Sequence, residues 1–433
     1  MAAPVFVIFA VLLLVLGGGV WVGLGLMSAG IVGLEVFRNM PVEKLLAQDA
    51  WSSMTSPELI ALPLFIFMGE LLFHTRLSEM TFAGLTPWTQ RLPGRLLHVN
   101  VLGCTMFAAA SGSSAATAAT IGRITLTELF ARGYDRSLAM GSLAGAGTLG
   151  LLIPPSIILI VYGVLAKVSI LQLFIAGIVP GLILAGGFMA YIAVAAILKP
   201  SVVPAEDVRY SWGDRLRGLW QLTPMIFLMV LVVGSMYGGF AGPTEAAAVG
   251  VLGAVIIAAL QRVLSFKIVR DAALGTVRTC SMIALLLASA LFLSRAMAFL
   301  GVPGAVAEGI ASLDMGRYGV IFVILAFYIV LGTVMDGLSS IVMTIAITLP
   351  LVTAAGFDPV WFGVFLVVVV EMAETSPPVG FNLFIVQQLA KASMWEVSKA
   401  VFPFFMIMVL LVIAMIFFPD IVTFVSGKAG PGI

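Results

Sequence analysis

The stretch that decides the fold is GSSAAT at residues 112–117, which interrupts a long apolar run with small and hydroxyl-bearing residues. A second interruption, TLGLLIPPS, follows at residues 148–156, and comparable breaks recur as DGLSS at 336–340 and ETSPPVG at 374–380. A break inside a membrane helix leaves N–H and C=O groups without partners, so it persists only where protein, water or a bound solute satisfies them. Two such breaks in each half of a chain are typical of the ion and substrate sites of secondary transporters.

The composition is that of a polytopic membrane protein. Of the 433 residues, 61% are hydrophobic and only 10% are charged, and the mean hydropathy is +1.16. This chain has too little polar surface to be a soluble protein of its length. The apolar runs are about 20 residues long and do not alternate, which predicts spanning α-helices rather than barrel strands. The fold class is therefore predicted to be all-α.

Apolar runs that end at helix-breaking residues predict the positions of the membrane spans. They lie near 4–34, 57–75, 137–166, 170–198, 218–238, 243–261, 271–300, 360–390 and 397–426. We expect 4–34 to be a retained helix rather than a removed signal peptide, because no clear cleavage site follows it. Two further stretches, 97–132 and 318–355, have Gly/Ser-rich centres. Each is one long helix, two short spans, or a hairpin that enters the membrane and turns back.

The positive charges favour hairpins. Arginines flank residues 97–132 on both sides, and Lys and Arg in short loops mark the cytoplasmic face. The stretch 318–355 begins after Arg317 and ends in a segment that is poor in positive charge, so it should enter from the outside. Hairpins that enter from opposite faces make the two halves inverted.

An internal repeat supports this inversion. Matches in the same order, at offsets of 223 to 226, are Ser113-Ser114 with Ser339-Ser340, ARGYD (131–135) with AAGFD (354–358), Pro154-Pro155 with Pro377-Pro378, LAKVS (165–169) with LAKAS (389–393), and Pro180 with Pro403. Inversion predicts that Lys167 lies outside and Lys391 inside. The predicted regions are N-terminal scaffold helices (1–96), a first repeat core of hairpin, broken helix and arm helix (97–198), a cytoplasmic loop with further scaffold helices (199–317), and a second repeat core (318–426).

The breaks offer groups for two kinds of ligand. Unwound carbonyls and Ser/Thr hydroxyls supply oxygens to a small cation, and helix N-termini supply N–H donors to a carboxylate. We call residues 111–117 tip 1, 148–156 break 1, 337–340 tip 2 and 375–382 break 2. One such patch alone could be an ordinary helix-contact surface. Four in repeat-related positions favour a binding site.

Several charged residues interrupt apolar runs, where burial is costly. We treat Asp336 and Glu374 as candidates next to the site, and the others as structural: Glu70, Arg123, Glu245, Arg295 and Glu371. Neither a nucleotide-binding loop nor a His-Glu-x-x-His metal motif is present. Energy must therefore come from an ion gradient or a partner.

At these positions the chain resembles the large membrane subunit of tripartite ATP-independent periplasmic (TRAP) transporters, the DctM-like family. The resemblance covers essentially the whole length and is carried by LPLFIFMGE (62–70), residues 111–120, LIPPS (152–156), PTEAAA (243–248) and SPPVG (376–380). The order of tip and break is also similar to that of divalent-anion/sodium symporters. Their tips carry Ser-Asn-Thr, whereas these read Gly-Ser-Ser and Leu-Ser-Ser, so ligands cannot be copied from that second family.

The resemblance implies a sodium-coupled importer of organic anions that works by an elevator motion in the bacterial inner membrane. Its partners would be a small four-helix membrane subunit and a periplasmic solute-binding protein. Family substrates are C4-dicarboxylates, sialic acids and other carboxylates, and the sequence does not choose among them. No cofactor is implied beyond Na⁺ as the coupling ion.

These arguments give a set of candidate site residues. Those predicted to bind sodium are Ser113, Ser114, Thr117, Thr148 and Gly150 in the first half, and Gly337, Ser339, Ser340, Thr375 and Gly380 in the second. Those predicted to bind the substrate are Ser114, Pro155, Ser156, Ser340, Pro378 and Asn382. Three alternatives stay open: a stand-alone symporter or exchanger, an ion channel with the tips as filters, and an intramembrane enzyme. The last lacks a convincing nucleophile and base pair, so no enzyme activity is expected.

Overall fold

The structure is a computed structural model that describes residues 2–38, 40–204, 210–311, 316–333, 335–376 and 380–426. Within these ranges the chain forms α-helices and two short 3-10 turns, and no strand. Helices are the expected result, because a helix satisfies its backbone hydrogen bonds within its own segment when no water is available.

The helices follow one another with short connections. In chain order they are α1 (Ala2–Gly17), α2 (Val22–Phe37), α3 (Val42–Met54), α4 (Ala61–Phe73), α5 (Leu77–Thr89), α6 (Leu97–Ser111), α7 (Ser114–Ala131), α8 (Arg136–Gly147), α9 (Leu149–Leu152), α10 (Ile157–Ala166), α11 (Ile170–Leu198), α12 (Trp212–Tyr237), α13 (Pro243–Leu260), α14 (Phe266–Phe299), α15 (Val302–Ala311), α16 (Arg317–Gly332), α17 (Gly337–Ala354), α18 (Pro359–Glu374), α19 (Phe381–Ala390), α20 (Met394–Phe417) and α21 (Asp420–Ser426).

The described residues contain six helices that are each long and apolar enough to cross a bilayer, namely α11, α12, α13, α14, α17 and α20. Two bent pairs also pass this test, which raises the count to eight. They are α3 with residues 57–73, bent by 54°, and α8–α9 with α10, bent by 40°. The prediction of an all-α, multi-pass membrane protein is confirmed.

Two of the predicted spans are wrong, because each of them is two helices in the structure. Residues 4–34 are not one helix, because the chain turns at Gly19, where φ is +76°, and α2 then packs against α1. Consecutive glycines at 17–19 end the first helix, because glycine adopts a positive φ without steric cost. The span 397–426 also divides, since α20 ends at Phe417 and Pro419 separates it from α21.

The four predicted interruptions are real breaks in helices. The stretch 97–132 is α6 and α7, which pack against each other, and 318–355 contains α16 and α17, which also pack together. One long helix is thereby excluded in both places. The predicted spans 137–166 and 360–390 are likewise interrupted, between α9 and α10 and between α18 and α19.

One helix lies at the centre of the molecule. Every residue of α18 from Val360 to Glu374 is buried, and α9, α10, α11, α16, α17, α19 and α20 all pack around it. A helix that is apolar on all sides, as α18 is before Glu371, belongs in an interior. Its end therefore delivers two carboxylates, Glu371 and Glu374, into the core.

Matching local structures occur at the positions that the sequence repeat pairs. Asp135 caps α8 and Asp358 caps α18, and each carboxylate accepts a backbone N–H at 2.7 Å. Lys167 and Lys391 end α10 and α19 in the left-handed region, with φ of +56° and +49°. Because these conformations are set locally, the paired sequence motifs fold alike in the two halves.

The cap at Asp358 should contribute measurably to stability. Its Oδ1 accepts from the amides of Val360 at 2.7 Å and Trp361 at 3.0 Å, at the start of the central helix. Asp358→Ala is expected to lower the free energy of unfolding by about 1 kcal/mol. Thermal unfolding of the detergent-solubilised protein measures this, and Asp358→Asn, which keeps a capping oxygen, is the control. Equal losses for the two variants would show that the cap does not matter.

Candidate functional site

Tip 1 is a tight turn between two helices. Gly112 has φ of +60° and ends α6, and the Ser113 side chain caps α7 by accepting from the amide of Ala116 at 3.4 Å. Inside the turn, the hydroxyl oxygens of Ser111 and Thr117 lie 2.6 Å apart and share a hydrogen bond. Thr117 is fully buried. Predicted ligands of the first half are therefore brought together within one turn.

Break 1 packs backbone to backbone on tip 1. A β-carbon on Gly150 would lie 2.7 Å from the carbonyl oxygen of Ser113, and one on Gly112 would lie 3.0 Å from that of Pro155. Only glycine allows two main chains to approach this closely. The predicted pairing of tip 1 with break 1 is thus present, and main-chain oxygens line the contact.

Side-chain hydroxyls at break 1 form hydrogen bonds with main-chain groups. Thr148 donates to the carbonyl oxygen of Gly145 at 2.6 Å, and the buried Ser156 caps α10 by accepting from the amide of Leu159 at 3.3 Å. These bonds stabilise the helix ends on both sides of the break, where four amides and four carbonyls would otherwise lack partners.

Tip 2 is built around an aspartate cap. Asp336 accepts from the amide of Ser339 at 3.1 Å, and the Ser340 hydroxyl donates to the main-chain oxygen of Asp336 at 2.9 Å. Ser340 is fully buried, and Ser339 is 5% exposed. Asp336 was predicted to lie next to the site, and its contacts place it as the residue that shapes tip 2.

Glu374 joins the two tips. Its Oε2 accepts from the hydroxyl of Ser114 in tip 1 at 3.2 Å, and its Oε1 accepts from the amide of Gly337 in tip 2 at 2.9 Å. The side chain is 4% exposed. A buried carboxylate needs such donors, because removing its charge from water is expensive. Residues 260 positions apart are thereby linked through one side chain.

Break 2 follows Glu374 directly. Thr375 donates to the carbonyl oxygens of Glu371 at 3.1 Å and Met372 at 3.0 Å, and a β-carbon on Gly380 would clash with the carbonyl group of Glu374. The predicted substrate ligand Pro378 lies outside the described residues.

Two buried polar side chains near break 2 have no hydrogen bond of ordinary length and angle to a described residue, although the amide of Leu151 in break 1 interacts with one of them, the carboxylate of Glu371. They are Glu371, which is 2% exposed, and Asn382, which is fully buried. Unpaired buried polar groups are rare and call for an explanation such as a bound ion or ligand. Asn382 was a predicted substrate ligand, whereas Glu371 had been assigned a structural role. The signal that could have found it is its spacing, one helical turn before Glu374 on an apolar helix.

The arrangement leaves acceptor oxygens available. The hydroxyls of Ser114, Thr148, Ser340 and Thr375 each donate to an internal acceptor. A hydroxyl that donates its one proton to an internal acceptor keeps lone pairs that can face a cation. Helices α7, α10, α17 and α19 begin at the tips and breaks, and a helix start favours anions. The site can therefore serve both a small cation and an anion.

The chain matches one family over nearly its whole length. Residues 6–421 fit the family described as "Tripartite ATP-independent periplasmic transporter, DctM component". An ectoine/5-hydroxyectoine TRAP transporter large permease protein of Ruegeria pomeroyi is 32% identical, over 99% of each chain. A C4-dicarboxylate TRAP transporter large permease protein of Rhodobacter capsulatus is 28% identical, over 96% of this chain and 97% of that one.

Two further similarities concern length and fold. The isethionate TRAP transporter permease protein DctMQ of Oleidesulfovibrio alaskensis is 32% identical over 98% of this chain, and the chain spans 66% of that relative's length. The crystal structure of the YdaH transporter from Alcanivorax borkumensis superposes with a TM-score of 0.62 at 15% identity, over 86% of this chain and 87% of that one. The latter likeness concerns the fold alone.

The close contact of break 1 with tip 1 can be tested with a methyl group. Gly150→Ala should lower the free energy of unfolding by about 1–3 kcal/mol, because the β-carbon meets main-chain atoms that cannot move aside easily. Gly186→Ala in α11 is the matched control, since its β-carbon meets nothing within 4 Å. The control should keep or raise the melting temperature. A Gly150→Ala protein as stable as this control would contradict the packing.

The bridge at Glu374 makes a second prediction. Glu374→Ala leaves two buried donors unpaired, which should cost about 1–3 kcal/mol for each one. Glu374→Gln keeps one acceptor oxygen and should cost less. Melting temperatures of both variants, set against the exposed Glu79→Ala, measure the difference. An alanine variant no less stable than the glutamine variant would rule out the bridge.

Proposed function

This chain belongs to the DctM family of tripartite ATP-independent periplasmic transporters, and from that premise we propose that it is the large permease of a sodium-coupled importer of small organic anions. The family is one of membrane transporter permeases rather than of enzymes, and its members work with a small membrane subunit and a periplasmic binding protein. We place the protein in the bacterial inner membrane, where a periplasmic protein can deliver the substrate.

The observation that carries this proposal is the convergence of tips 1 and 2 on Glu374. Two helix hairpins and two broken helices thereby enclose one region that contains acceptor oxygens, helix starts and two carboxylates. Breaks of this kind in membrane helices are where transporters hold ions and substrate. An aqueous filter would need such groups along an open pathway, which argues against a channel.

We propose two sodium sites related by the repeat. The first uses oxygens of tip 1 and break 1, from Ser113, Ser114, Thr117, Thr148 and Gly150. The second uses Gly337, Ser339, Ser340, Thr375 and Gly380. The close contacts of Gly150 with Ser113 and of Gly380 with Glu374 support main-chain carbonyls as ligands. An anion would then lie between the tips, near Ser114, Pro155, Ser156, Ser340 and Asn382.

The substrate class follows from the family. Relatives are named for ectoine, isethionate and C4-dicarboxylates. The shared chemistry is a small molecule with a carboxylate or sulfonate group. For this chain we propose a compound with such a group, and C4-dicarboxylates, isethionate, sialic acids and the zwitterion ectoine are the compounds to test.

We further propose that the two halves are inverted repeats and that the hairpins move together as an elevator. Helices α6 and α16 have 15 and 16 residues and so are about 23 Å long, shorter than the roughly 30 Å hydrocarbon core. The short first arm of each pair supports a hairpin that enters part of the bilayer, although the second arm α17 is by itself long enough to cross it. The bridge at Glu374 supports movement of both tips as one body.

Sodium coupling is tested by uptake into proteoliposomes that hold this chain with its small subunit. Accumulation of labelled succinate, ectoine, isethionate or sialic acid should require an inward sodium gradient and the binding protein, and a potassium gradient should not replace it. Gly337→Val should abolish accumulation, because its side chain would meet Val370 and Glu374. Gly304→Val, where the structure leaves open space, should transport normally.

Other results would favour other functions. Sodium-driven uptake without any binding protein would indicate a stand-alone symporter. Flux that does not saturate with substrate would indicate a channel. Uptake that is equally fast in sodium and potassium would refute sodium coupling.

A further inference from the structure

A cavity of about 1210 Å³ lies apart from the tips and breaks. It is lined by α3, the turn at residues 57–60, the junction of α10 and α11, the loop between α12 and α13, and α14. Sites that enclose a small molecule usually measure roughly 300–1,000 Å³. This cavity exceeds that range, so it has the size of a vestibule rather than of a closed site.

The cavity lies at the end of the molecule that is predicted to face outside. Its wall includes Lys167, which inversion of the repeat places outside, and Gly239, Ala241, Gly242 and Pro243, which belong to a turn without Lys or Arg, as expected of the outer face. The positive-charge rule places Arg215, Arg262 and Lys267 at the cytoplasmic face, and they lie at the opposite ends of α12, α13 and α14. Anything delivered from the periplasm would meet this cavity.

An asymmetric ion pair forms part of the wall. Nη1 of Arg295 lies 2.7 Å from Oδ1 of Asp49, and the side chains are 41% and 2% exposed, respectively. The carboxylate is therefore withdrawn into the protein while the guanidinium faces the cavity. Arginine carries five N–H donors, and Asp49 is the one acidic partner recorded for Arg295 among the described residues. Donors remain for a further acceptor.

Other lining groups are compatible with an anion. Lys167 is exposed and forms no ion pair with a described residue, and Ser294 precedes Arg295 in the wall. Glu58 is the other acidic lining residue among those described, and its carboxylate accepts a hydrogen bond from Ser56. The lining thus carries two cations and two carboxylates, and Lys167 and the guanidinium of Arg295 are its exposed positive groups beside the exposed carboxylate of Glu58.

We propose that this cavity is an anion vestibule, in which the guanidinium of Arg295, anchored by Asp49, binds the carboxylate or sulfonate group of the incoming substrate. The planar guanidinium suits both groups because it offers paired, parallel N–H donors. This inference rests on the proposed function, because it assigns an outer binding step to the same transported anion.

The test uses a cysteine reporter and no transport assay. In a Cys104→Ser/Cys280→Ser background, Ser294→Cys places a thiol beside Arg295. Rates of modification by an anionic sulfonatoethyl methanethiosulfonate and by a cationic trimethylammonioethyl methanethiosulfonate are compared in the purified protein. Relative to the rate of each reagent with a small free thiol, the anionic reagent should be favoured, and Arg295→Gln should lower the anion-to-cation rate ratio by about tenfold, the low end for field focusing in a cleft.

Matched variants distinguish the loss of the positive charge at position 295 from a loss of folding. Arg295→Lys keeps the positive charge and should keep most of the ratio. Arg278→Gln removes a charge from an exposed position on the same helix, outside the cavity, and should leave the ratio unchanged. Gel filtration in detergent shows whether each variant is folded. A ratio that is the same with Gln and Arg at position 295 would overturn the proposal.

Occupancy is measured in the same assay. Potassium succinate and potassium isethionate should slow modification of the Ser294→Cys thiol more than potassium chloride of equal ionic strength, and Arg295→Gln should remove this protection. Protection no greater than that by chloride would refute substrate binding in the vestibule. Because no sodium is present, a failure of sodium coupling in the uptake assay would leave these results unaffected, and the two proposals can fail separately.

Discussion

The structure depends on how an interrupted backbone is satisfied inside a membrane. Glu374 satisfies both interruptions at the tips, since its one buried carboxylate accepts hydrogen bonds from Ser114 in tip 1 and Gly337 in tip 2. Without this acceptor both donors would be buried and unpaired. A buried donor left unpaired costs more free energy than replacing both the donor and the acceptor by apolar groups. The fully buried helix α18 holds this carboxylate in place, with neighbouring helices packed around it.

Glycine gives the second constraint, because the tips and breaks meet through their main chains. Gly150 lies against Ser113, and Gly380 lies against Glu374. Side chains at either glycine would push the main chains apart. The contact keeps carbonyl oxygens at the interface, and the nearby hydroxyls have already used their protons on internal acceptors. The resulting surface is rich in oxygen lone pairs, as a weakly held small cation requires.

One short helix connects the two functional regions. Helix α10 begins after Ser156, at break 1, and ends at Lys167, in the wall of the outer cavity. With 10 residues it spans about 15 Å. An anion that first meets Arg295 and Lys167 would thus be one helix length from the tips. Under the proposed function, the outer cavity and the tips would serve successive steps, capture of the anion followed by its binding with ions.

The sequence by itself determined the helical membrane fold and the places where helices break, because hydropathy, proline pairs and Gly/Ser clusters act locally. Its motifs resembled those of one family, to which the chain belongs. It also identified Asp336 and Glu374 as candidates. It was wrong at residues 4–34, where glycines make a turn, and it assigned Glu371 a structural role, because periodicity does not show how a buried carboxylate is paired. Only the tertiary structure decided that Glu374 joins both tips and that Asp49 anchors Arg295. The contacts of Glu374 with Ser114 and of Arg295 with Asp49 connect segments more than 240 residues apart, and no local pattern encodes such a distance.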